Sequence, residues 1–273
     1  MSTPLEAARL KAEATYSSAA DFFDAAPLAF WARTGQRAVE RLALRPGDHV
    51  LDVCCGSGAS AIPAAQAVGP EGRVIGVDLT DPLLALARAK AQAAGLRQAE
   101  FRRADMTALG FPDGHFDAVV CVFGIFFVPD MERQVAELWR MVRPGGQLAI
   151  TTWGPDIWAP GYSMFQNSVR RVRPELYAAF NPWDRITTPE AVRRLFADAG
   201  VPGARAALEE SHQPLRTPED FWTVALGSGL RWTIDQLGPQ AAGVVRTEVI
   251  DALAARRVDR IATHAIHASA RKA

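Results

Sequence analysis

The sequence "VLDVCCGSGAS" occupies residues 50–60 and joins an apolar, strand-like segment to a turn with two glycines. Residues 56–61 fit the pattern G-x-G-x-x-G/A, which in parallel α/β sheets brings a nucleotide phosphate to a helix N-terminus. Cys54 and Cys55 stand just before the glycines. We therefore expect a ligand site here: a dinucleotide site, a metal or redox site on the cysteine pair, or a site for another cofactor.

Segments with strand and helix character alternate from this stretch to residue 153. Runs rich in β-forming residues predict five strands, at 49–54, 73–79, 99–105, 116–124 and 147–153. Apolar residues at helical spacing predict helices between them, at 59–68, 81–95 and 131–142. This alternation is typical of an α/β fold with a doubly wound parallel sheet and helices on both faces.

The predicted helix at 81–95 has a signal at each end. Asp81 is expected as its N-cap, Pro82 as its first helical residue and Gly95 as its C-terminal stop. These signals place the end of the second strand directly before a helix N-terminus.

The segments outside 45–153 are predicted to complete one compact domain. Residues 1–44 are interpreted as an N-terminal helical cap, and residues 154–203 as a helical insertion. Residues 204–273 are expected to add two strands, at 204–215 and 257–270, around a helical insertion at 218–257.

The charge balance and the apolar content limit the kinds of partner. Thirty basic residues balance thirty acidic ones, so the chain has no overall electrostatic attraction for nucleic acid. The most apolar stretch, "AVVCVFGIFFVP", has twelve residues and is too short to span a bilayer. The start, "MSTPLEAARLKAEATY", lacks the apolar core of a signal peptide, so we expect a cytoplasmic protein without a membrane span.

Cys54, Cys55 and Cys121 are the only cysteines in the sequence. Adjacent cysteines point to opposite sides of an extended chain, so Cys54 and Cys55 are poorly placed to hold one metal ion. His264 and His267 are three apart in a predicted strand and therefore lie on opposite faces. We expect no metal site and interpret the cysteines as small packing residues.

Acidic residues near the turn distinguish between the possible cofactors. Asp78 ends the second predicted strand, 20 residues beyond Gly58, where an acid can bind the ribose hydroxyls of several cofactors, NAD included. Asp52 lies inside the first strand, where its charge disfavours a pyrophosphate but suits a ligand with a cationic amino group. Asp105 and Met106 end the third strand, where they can hold an adenine amino group and cover the ring.

Five segments resemble, in order and spacing, the motifs of class I S-adenosylmethionine-dependent methyltransferases. They resemble most the ubiquinone/menaquinone-type (methyltransferase type 11-like) small-molecule group. The segments are "VLDVCCGSG", "VIGVDL", "RRADM", "FDAVVCVFG" and "LWRMVRPGGQLAI", and the resemblance covers residues 45–153. It implies S-adenosyl-L-methionine as cofactor, with S-adenosyl-L-homocysteine as product, bound in this core. It also implies a Rossmann-like seven-stranded sheet of order 3-2-1-4-5-7-6, with the last strand antiparallel.

The resemblance also implies which residues contact the cofactor. Asp52 and the glycine turn would face the methionine part, Asp78 the ribose, and Leu79 the adenine, with Tyr16 folded over from the N-terminal helix. The implied cofactor contacts are Tyr16, Asp52, Cys54, Gly56, Ser57, Gly58, Asp78, Leu79, Asp105, Met106, Cys121, Val122 and Phe123.

Two positions depart from the family pattern. Cys54 replaces the usual first glycine of the turn, and a cysteine is strained at positive φ. We therefore expect Cys54 in an ordinary β conformation, with its side chain shaping the pocket. In "FGIFFVPD", residues 123–130, Phe126 and Phe127 stand where relatives often have two histidines, so this wall is expected to be apolar.

The implied reaction is an in-line methyl transfer to a small molecule. Aromatic residues are frequent in the segments expected to roof the site, which favours an apolar or aromatic methyl acceptor. No catalytic residue is assigned. The candidate acceptor contacts are Trp31, Phe127, Trp153, Trp183, His212 and Arg231.

Other functions are compatible with the same residues. An NAD-dependent oxidoreductase has a similar fold, although Asp52 and the proline-glycine turn before the fifth strand disfavour it. A protein that binds S-adenosylmethionine without turnover fits the motifs as well, because this enzyme class has no universal catalytic residue. A macromolecular acceptor is disfavoured by the neutral charge and by "FGIF" in place of an Asn/Asp-Pro-Pro-aromatic tetrapeptide. A homodimer is one option for the assembly.

Overall fold

The computed structural model describes residues 3–273, and most of its strands form one mixed sheet. The strands are β1 (His49–Val53), β2 (Arg73–Asp78), β3 (Ala99–Arg103), β4 (Phe116–Val122), β5 (Val142–Trp153), β6 (Arg205–Glu209), β7 (His212–Pro214), β8 (Arg260–Ala262) and β9 (Ala265–Arg271). Seven of them are ordered β3-β2-β1-β4-β5-β9-β6, and β7 and β8 form a separate ladder.

The strand order implied by the resemblance is confirmed. β1 to β5 are parallel. β9 is the seventh strand of this sheet along the chain, and it lies between β5 and β6. β9 runs antiparallel to both neighbours, and its residues Ala265 to Ser269 are paired on both sides. The last strand is therefore an interior strand.

Helices cover both faces of the sheet, as the alternating pattern predicts. They are α1 (Pro4–Phe23), α2 (Phe30–Glu40), α3 (Ala61–Val68), α4 (Asp81–Ala93), α5 (Met131–Met141), α6 (Gly161–Val172), α7 (Pro189–Asp198), α8 (Glu219–Leu226) and α9 (Arg231–Ala255). Side chains of α2, α3 and α4 pack on one face, and those of α5 and α7 on the other. Among residues 3–273, no helix has the length and apolar composition to cross a bilayer.

The central strands β1 and β4 are buried on both faces, which explains their nearly continuous apolar sequence. Leu51 and Val119 join the cluster of core side chains that includes α5 and α7, whereas Val50 and Val120 join the cluster under α3 and α4. Each of the four is at most 1% exposed. The carboxyl ends of these strands are thus fixed from both sides, and so are the loops that follow them.

The N-terminal helix α1 is fastened across the carboxyl edge of the sheet by polar contacts. Just after its last turn, Asp24 accepts hydrogen bonds from the Ser57 hydroxyl at 2.7 Å and from Lys90 Nζ at 2.8 Å. Nearer the middle of the helix, Glu13 forms an ion pair with Arg103 at the end of β3. α1 is therefore tied to the glycine turn, to α4 and to β3 at once.

The expected N-cap at Asp81 is wrong. Asp81 is the first residue of α4, and Thr80 precedes it in an extended conformation without a side-chain cap. The Thr80 N–H donates to Asp78 Oδ1 at 2.9 Å, so the carboxylate that organises this turn comes from the strand and not from the helix. Pro82 lies in the first turn, and Gly95, with a φ of 68°, follows the helix end as expected.

The strands predicted at 204–215 and 257–270 are each divided in two. Ser211 donates its N–H to His264 Nδ1 at 3.0 Å and its hydroxyl to the Thr263 carbonyl at 2.7 Å. Between β6 and β7, and between β8 and β9, these side-chain hydrogen bonds take the place of regular backbone strand pairing. β6 and β9 therefore stay in the main sheet, while β7 and β8 pair with each other.

The β6–β9 pair offers two matched substitutions. Ile266 on β9 is fully buried, whereas Leu208, its partner on β6, is 37% exposed. Ile266→Ala should lower the free energy of unfolding by about 2–5 kcal/mol, because it removes buried methyl groups and leaves a cavity. Leu208→Ala should cost about 1 kcal/mol or less. Urea denaturation measures both values, and equal losses would contradict the interior position of β9.

Candidate functional site

A cavity lies at the carboxyl edge of the sheet, under α1. Its floor comes from the segments that follow or end four strands: residues 54–56 after β1, 77–80 at the end of β2, 104–107 after β3 and 122–123 at the end of β4. β2 and β3 lie on one side of β1, and β4 and β5 lie on the other, so the strand order changes direction at β1. Ligands of open α/β sheets bind at this kind of switch point.

Asp78, at the end of β2, joins the glycine turn to the start of α4. Its Oδ2 accepts the Gly56 N–H and its Oδ1 accepts the Thr80 N–H, both at 2.9 Å. Burial raises the pKa of Asp78, whereas the hydrogen bonds from Thr80 and Gly56 stabilise the carboxylate and oppose that rise. The carboxylate is thus held in place on the cavity floor, with lone pairs left for hydroxyl donors.

The loop after β3 forms another part of the floor. Asp105 Oδ1 accepts the Thr107 N–H at 2.8 Å and the Thr107 hydroxyl at 2.7 Å, which fixes the loop. Gln134 of α5 donates to the Met106 carbonyl at 2.8 Å. The structure therefore brings Asp105 and Met106 into the same cavity as Asp78 and its neighbour Leu79.

Cys54 has a φ of 58°, in the left-handed region, so the expected β conformation is wrong. The turn requires this reversal, because Cys55 donates its N–H to the Val77 carbonyl at 3.0 Å and accepts the Gly58 N–H at 2.8 Å. A non-glycine residue in such a conformation costs about 1–3 kcal/mol, which surrounding contacts must offset. The side chain lines the cavity, as expected, and its sulfur lies 3.6 Å from Met106 Sδ.

Asp52 lies behind the cavity wall and not in it. It is 1% exposed, and its Oδ2 accepts a hydrogen bond at 2.7 Å from the hydroxyl of Ser60, which lines the cavity. Its Oδ1 has no hydrogen-bond partner. Burial raises the pKa of Asp52 to about 7. An unpaired, buried carboxylate oxygen favours a positive charge nearby, so this end of the cavity suits a cationic group.

One side of the cavity is a wall of aromatic rings from several segments. Its members are Tyr16 and Phe23 of α1, Trp31 of α2, Phe123 after β4, and Phe127. Phe23 stacks on Trp31 with centroids 5.3 Å apart, and Tyr16 lies edge-on to Phe127 at 5.5 Å. Trp31 also lies edge-on to Phe123 at 5.5 Å. Tyr16 also lies edge-on to Phe23 at 6.2 Å, so the wall is continuous, and its Phe127 has the apolar character expected from the sequence.

One face of α1 lines the cavity at helical spacing. Leu5, Arg9, Ala12 and Tyr16 follow one another at intervals of four, three and four residues. Of these, sequence reasoning found only Tyr16, although the spacing itself was a signal for the rest. Several other lining residues were not named as contacts, although Cys55, Val77 and Ala104 lie inside the quoted motifs. The full set is Phe23, Cys55, Ala59, Ser60, Val77, Thr80, Leu83, Ala104, Thr107 and Val128.

Several residues implied as cofactor contacts lie outside the cavity lining: Asp52, Ser57, Gly58 and Cys121. The Ser57 hydroxyl bonds to Asp24 and holds α1. Gly58 faces α3, where a methyl group on its Cα would lie 3.1 Å from Ile62 Cγ1. The Cys121 side chain is fully buried in the sheet. The implied contacts that do line the cavity are Tyr16, Cys54, Gly56, Asp78, Leu79, Asp105, Met106, Val122 and Phe123.

Of the candidate acceptor contacts, Trp31 and Phe127 line the cavity, and Trp153, Trp183, His212 and Arg231 do not. Trp153 lies behind Phe123, stacked on it with centroids 3.9 Å apart. Trp183 is half-buried, His212 is exposed on β7, and Arg231 pairs with Asp235 on α9 at 2.7 Å. Within residues 3–273, no three histidine, cysteine, aspartate or glutamate side chains are grouped to hold a metal ion.

Comparisons with known proteins agree with the motifs. A family model described as a methyltransferase domain matches residues 50–146. The chain is 32% identical to nocamycin O-methyltransferase of Saccharothrix syringae over 245 residues, which cover 83% of this chain and 87% of that protein. It is 36% identical to demethylmenaquinone methyltransferase of Listeria welshimeri over 146 residues, or 53% of this chain. That match spans 61% of the length of the Listeria protein.

The fold has counterparts among solved structures. The crystal structure of the YcgJ protein from Bacillus subtilis superposes with a TM-score of 0.57 at 17% identity, covering 88% of this chain and 98% of that one. At this identity the match supports the fold alone. The sequence relatives, by contrast, confirm the resemblance that the five motifs indicated.

The raised pKa of Asp52 predicts a pH dependence of stability. Its pKa is about 7 in the folded chain, against about 3.9 for an unperturbed aspartate, so the folded state binds a proton more tightly between these values. The free energy of unfolding should therefore fall as the pH rises through this window, by up to about 1.4 kcal/mol per unit from this group. Asp52→Asn should remove that slope and still accept the Ser60 hydrogen bond.

Urea denaturation between about pH 5 and pH 8 would compare the two slopes. Asp81→Asn is the matched control, because the Asp81 side chain is 61% exposed and lies outside the cavity lining. The control should follow the wild type. Identical slopes for wild type and Asp52→Asn would show that the buried carboxyl ionises at its ordinary pH.

Proposed function

We propose, because the chain belongs to the class I S-adenosylmethionine-dependent methyltransferase family, that it transfers a methyl group from this cofactor to a small apolar or aromatic molecule. One observation carries the proposal. A single cavity joins Asp78, anchored by two backbone N–H groups at the end of β2, to a continuous wall of aromatic rings. The first feature suits a ribose, and the second suits an apolar acceptor.

The residues around the cavity fit the cofactor. Asp78 has lone pairs for the ribose hydroxyls, Leu79 and Met106 provide apolar cover for adenine, and Asp105 provides an acceptor for its amino group. The unpaired Oδ1 of Asp52, behind Ser60, suits the cationic amino group of the methionine part. When bound, S-adenosylmethionine supplies a methyl group on a sulfonium centre that a nucleophile can displace.

The chain itself contributes alignment and the exclusion of water. In-line displacement depends on a fixed approach geometry and on a site without water. The aromatic wall provides a packed apolar surface that positions the acceptor and excludes water. Burial, reinforced by the nearby Asp78 charge, raises the pKa of Tyr16. A phenol with its ordinary pKa of about 10 is already protonated at neutral pH, and this rise keeps the Tyr16 hydroxyl available as a hydrogen-bond donor. No residue is assigned as a general base.

The names of two relatives support the proposed class of acceptor. One is a demethylmenaquinone methyltransferase and the other a nocamycin O-methyltransferase. Five aromatic side chains line the cavity of this chain, and such rings favour flat, apolar partners that stack on them. The acceptor is therefore proposed to carry an apolar ring next to the atom that is methylated.

Calorimetric titration with S-adenosylhomocysteine, with NAD in a parallel run, tests the cofactor. S-Adenosylhomocysteine should bind with a dissociation constant in the range of about 1 μM, or about −8 kcal/mol. NAD should give no binding heat, because the chain belongs to a family that uses S-adenosylmethionine. Binding of NAD alone would overturn the proposal. Turnover is then tested by S-adenosylhomocysteine release over a panel of apolar aromatic acceptors.

Asp78→Ala should weaken S-adenosylhomocysteine binding by about 1.5–3 kcal/mol, the usual effect of losing hydrogen bonds to a charged group. Asp81→Ala is the control, because Asp81 lies three residues away with a 61% exposed side chain. Its affinity should match the wild type. Wild-type affinity in a folded Asp78→Ala protein would show that the ribose binds elsewhere.

A further inference from the structure

The three free cysteines lie on two sides of the sheet. Cys54 and Cys121 belong to the cluster of side chains that continues into the aromatic wall, whereas Cys55 belongs to the cluster under α3 and α4. Cys54 is partly exposed and lines the cavity, while Cys121 is fully buried. The proposed methyl transfer assigns no chemistry to either thiol.

The sulfurs of Cys54 and Cys121 are brought together beside a glycine. β1 and β4 pair with Val53 opposite Cys121, so Cys54 is one residue beyond a paired position. Gly124 has no side chain, and a methyl group on its Cα would lie 2.8 Å from the Cys121 sulfur and 2.8 Å from the Cys54 sulfur. Because both sulfurs lie 2.8 Å from this one position on Gly124, they lie close to each other.

The backbone on both sides of this pair is fixed. Cys54 is followed by the bond from the Cys55 N–H to the Val77 carbonyl, at 3.0 Å, which anchors the turn to β2. Cys121 is paired with residues of both β1 and β5. Neighbouring thiols on fixed backbones need little movement to reach the geometry of a disulfide.

We propose that Cys54 and Cys121 form a dithiol modification site, which a small-molecule disulfide such as glutathione disulfide oxidises to an intramolecular disulfide. Cys54 attacks the oxidant first, because of the two thiols in the pair it is the one that lines the cavity, and it releases one glutathione. Cys121 then attacks the Cys54 sulfur of the mixed disulfide and releases the second glutathione. Two S–H bonds become one S–S bond, and the two electrons and two protons end on the two glutathione thiols.

The environment of Cys54 sets the conditions for this reaction. Contact with the Cys121 thiol, and then burial, raise the pKa of Cys54 well above its ordinary value. Thiolate is the attacking form, so oxidation should be slow at neutral pH and faster as the pH rises. The cavity is also the route to Cys54, so a ligand bound there should slow the reaction.

The disulfide should reduce binding in the cavity. The Cys54 sulfur now lies 3.6 Å from Met106 Sδ, and a bond to Cys121 would draw it away from that contact. The movement removes the sulfur from the cavity wall and so changes the surface that a ligand contacts. This loss of packing should weaken S-adenosylhomocysteine binding by about tenfold. This last step rests on the proposed function, whereas formation of the disulfide does not.

The test uses the full-length protein, glutathione disulfide at about pH 8, and mass spectrometry of the intact and digested chain. The intact chain should lose two hydrogen atoms and two of its three free thiols, and the digest should contain a Cys54–Cys121 peptide pair. S-Adenosylhomocysteine should slow the change. Calorimetry should then show weaker S-adenosylhomocysteine binding to the oxidised protein and full recovery after dithiothreitol.

Variants separate this pair from the third cysteine. Cys55→Ser should still form the Cys54–Cys121 bond, whereas Cys121→Ser should stop at the Cys54–glutathione mixed disulfide and form no intramolecular disulfide. The proposal is overturned if the wild type keeps three thiols or carries only a glutathione adduct. It is also overturned if oxidation leaves the affinity unchanged. If reduced protein binds no S-adenosylhomocysteine, the proposed function fails, while the peptide pair still decides the modification site.

Discussion

The site depends first on the Asp78 carboxylate, which fixes two turns to each other. It accepts the Gly56 N–H after β1 and the Thr80 N–H before α4, both at 2.9 Å. The register of β1 and β2, with Val53 opposite Val77, brings the two strand ends level so that one side chain reaches both turns. The proposed cofactor end of the cavity is therefore organised before a ligand arrives, which lowers the ordering cost of binding.

The aromatic side of the cavity depends on different interactions. Its rings come from α1, α2 and the loop after β4, and they meet only because α1 crosses the sheet edge. Polar contacts such as Asp24 with Lys90 and Glu13 with Arg103 hold α1, and partly exposed ion pairs of this kind contribute little individually. Ring packing, as between Tyr16 and Phe127, must then provide much of the attachment. The proposed acceptor side therefore depends on ring packing and not on an anchoring carboxylate.

The difference between these two halves of the cavity explains which features the sequence could predict and which it could not. The position of Asp78 at a strand end follows from local spacing, whereas the strand order was implied by the resemblance of the five motifs to a known family. The left-handed backbone at Cys54 did not follow, because the hydrogen bonds of the turn overrode the preference of the residue. The divided C-terminal strands depend on Ser211, whose bonds to Thr263 and His264 span 52 and 53 residues. No local pattern contains such contacts.

Strained backbone is concentrated at the same edge of the sheet. Cys54, Phe123 and Trp158 have φ values of 58°, 55° and 50°, and they follow β1, β4 and β5. Such conformations persist only where the surroundings over-determine them, and they cluster at functional sites. At Cys54 a glycine would satisfy the turn without strain, so the fold does not require the thiol. The cysteine adds a sulfur to the cavity wall beside Met106 and Cys121, and the proposed consequence of this sulfur is the oxidation of the cysteine pair.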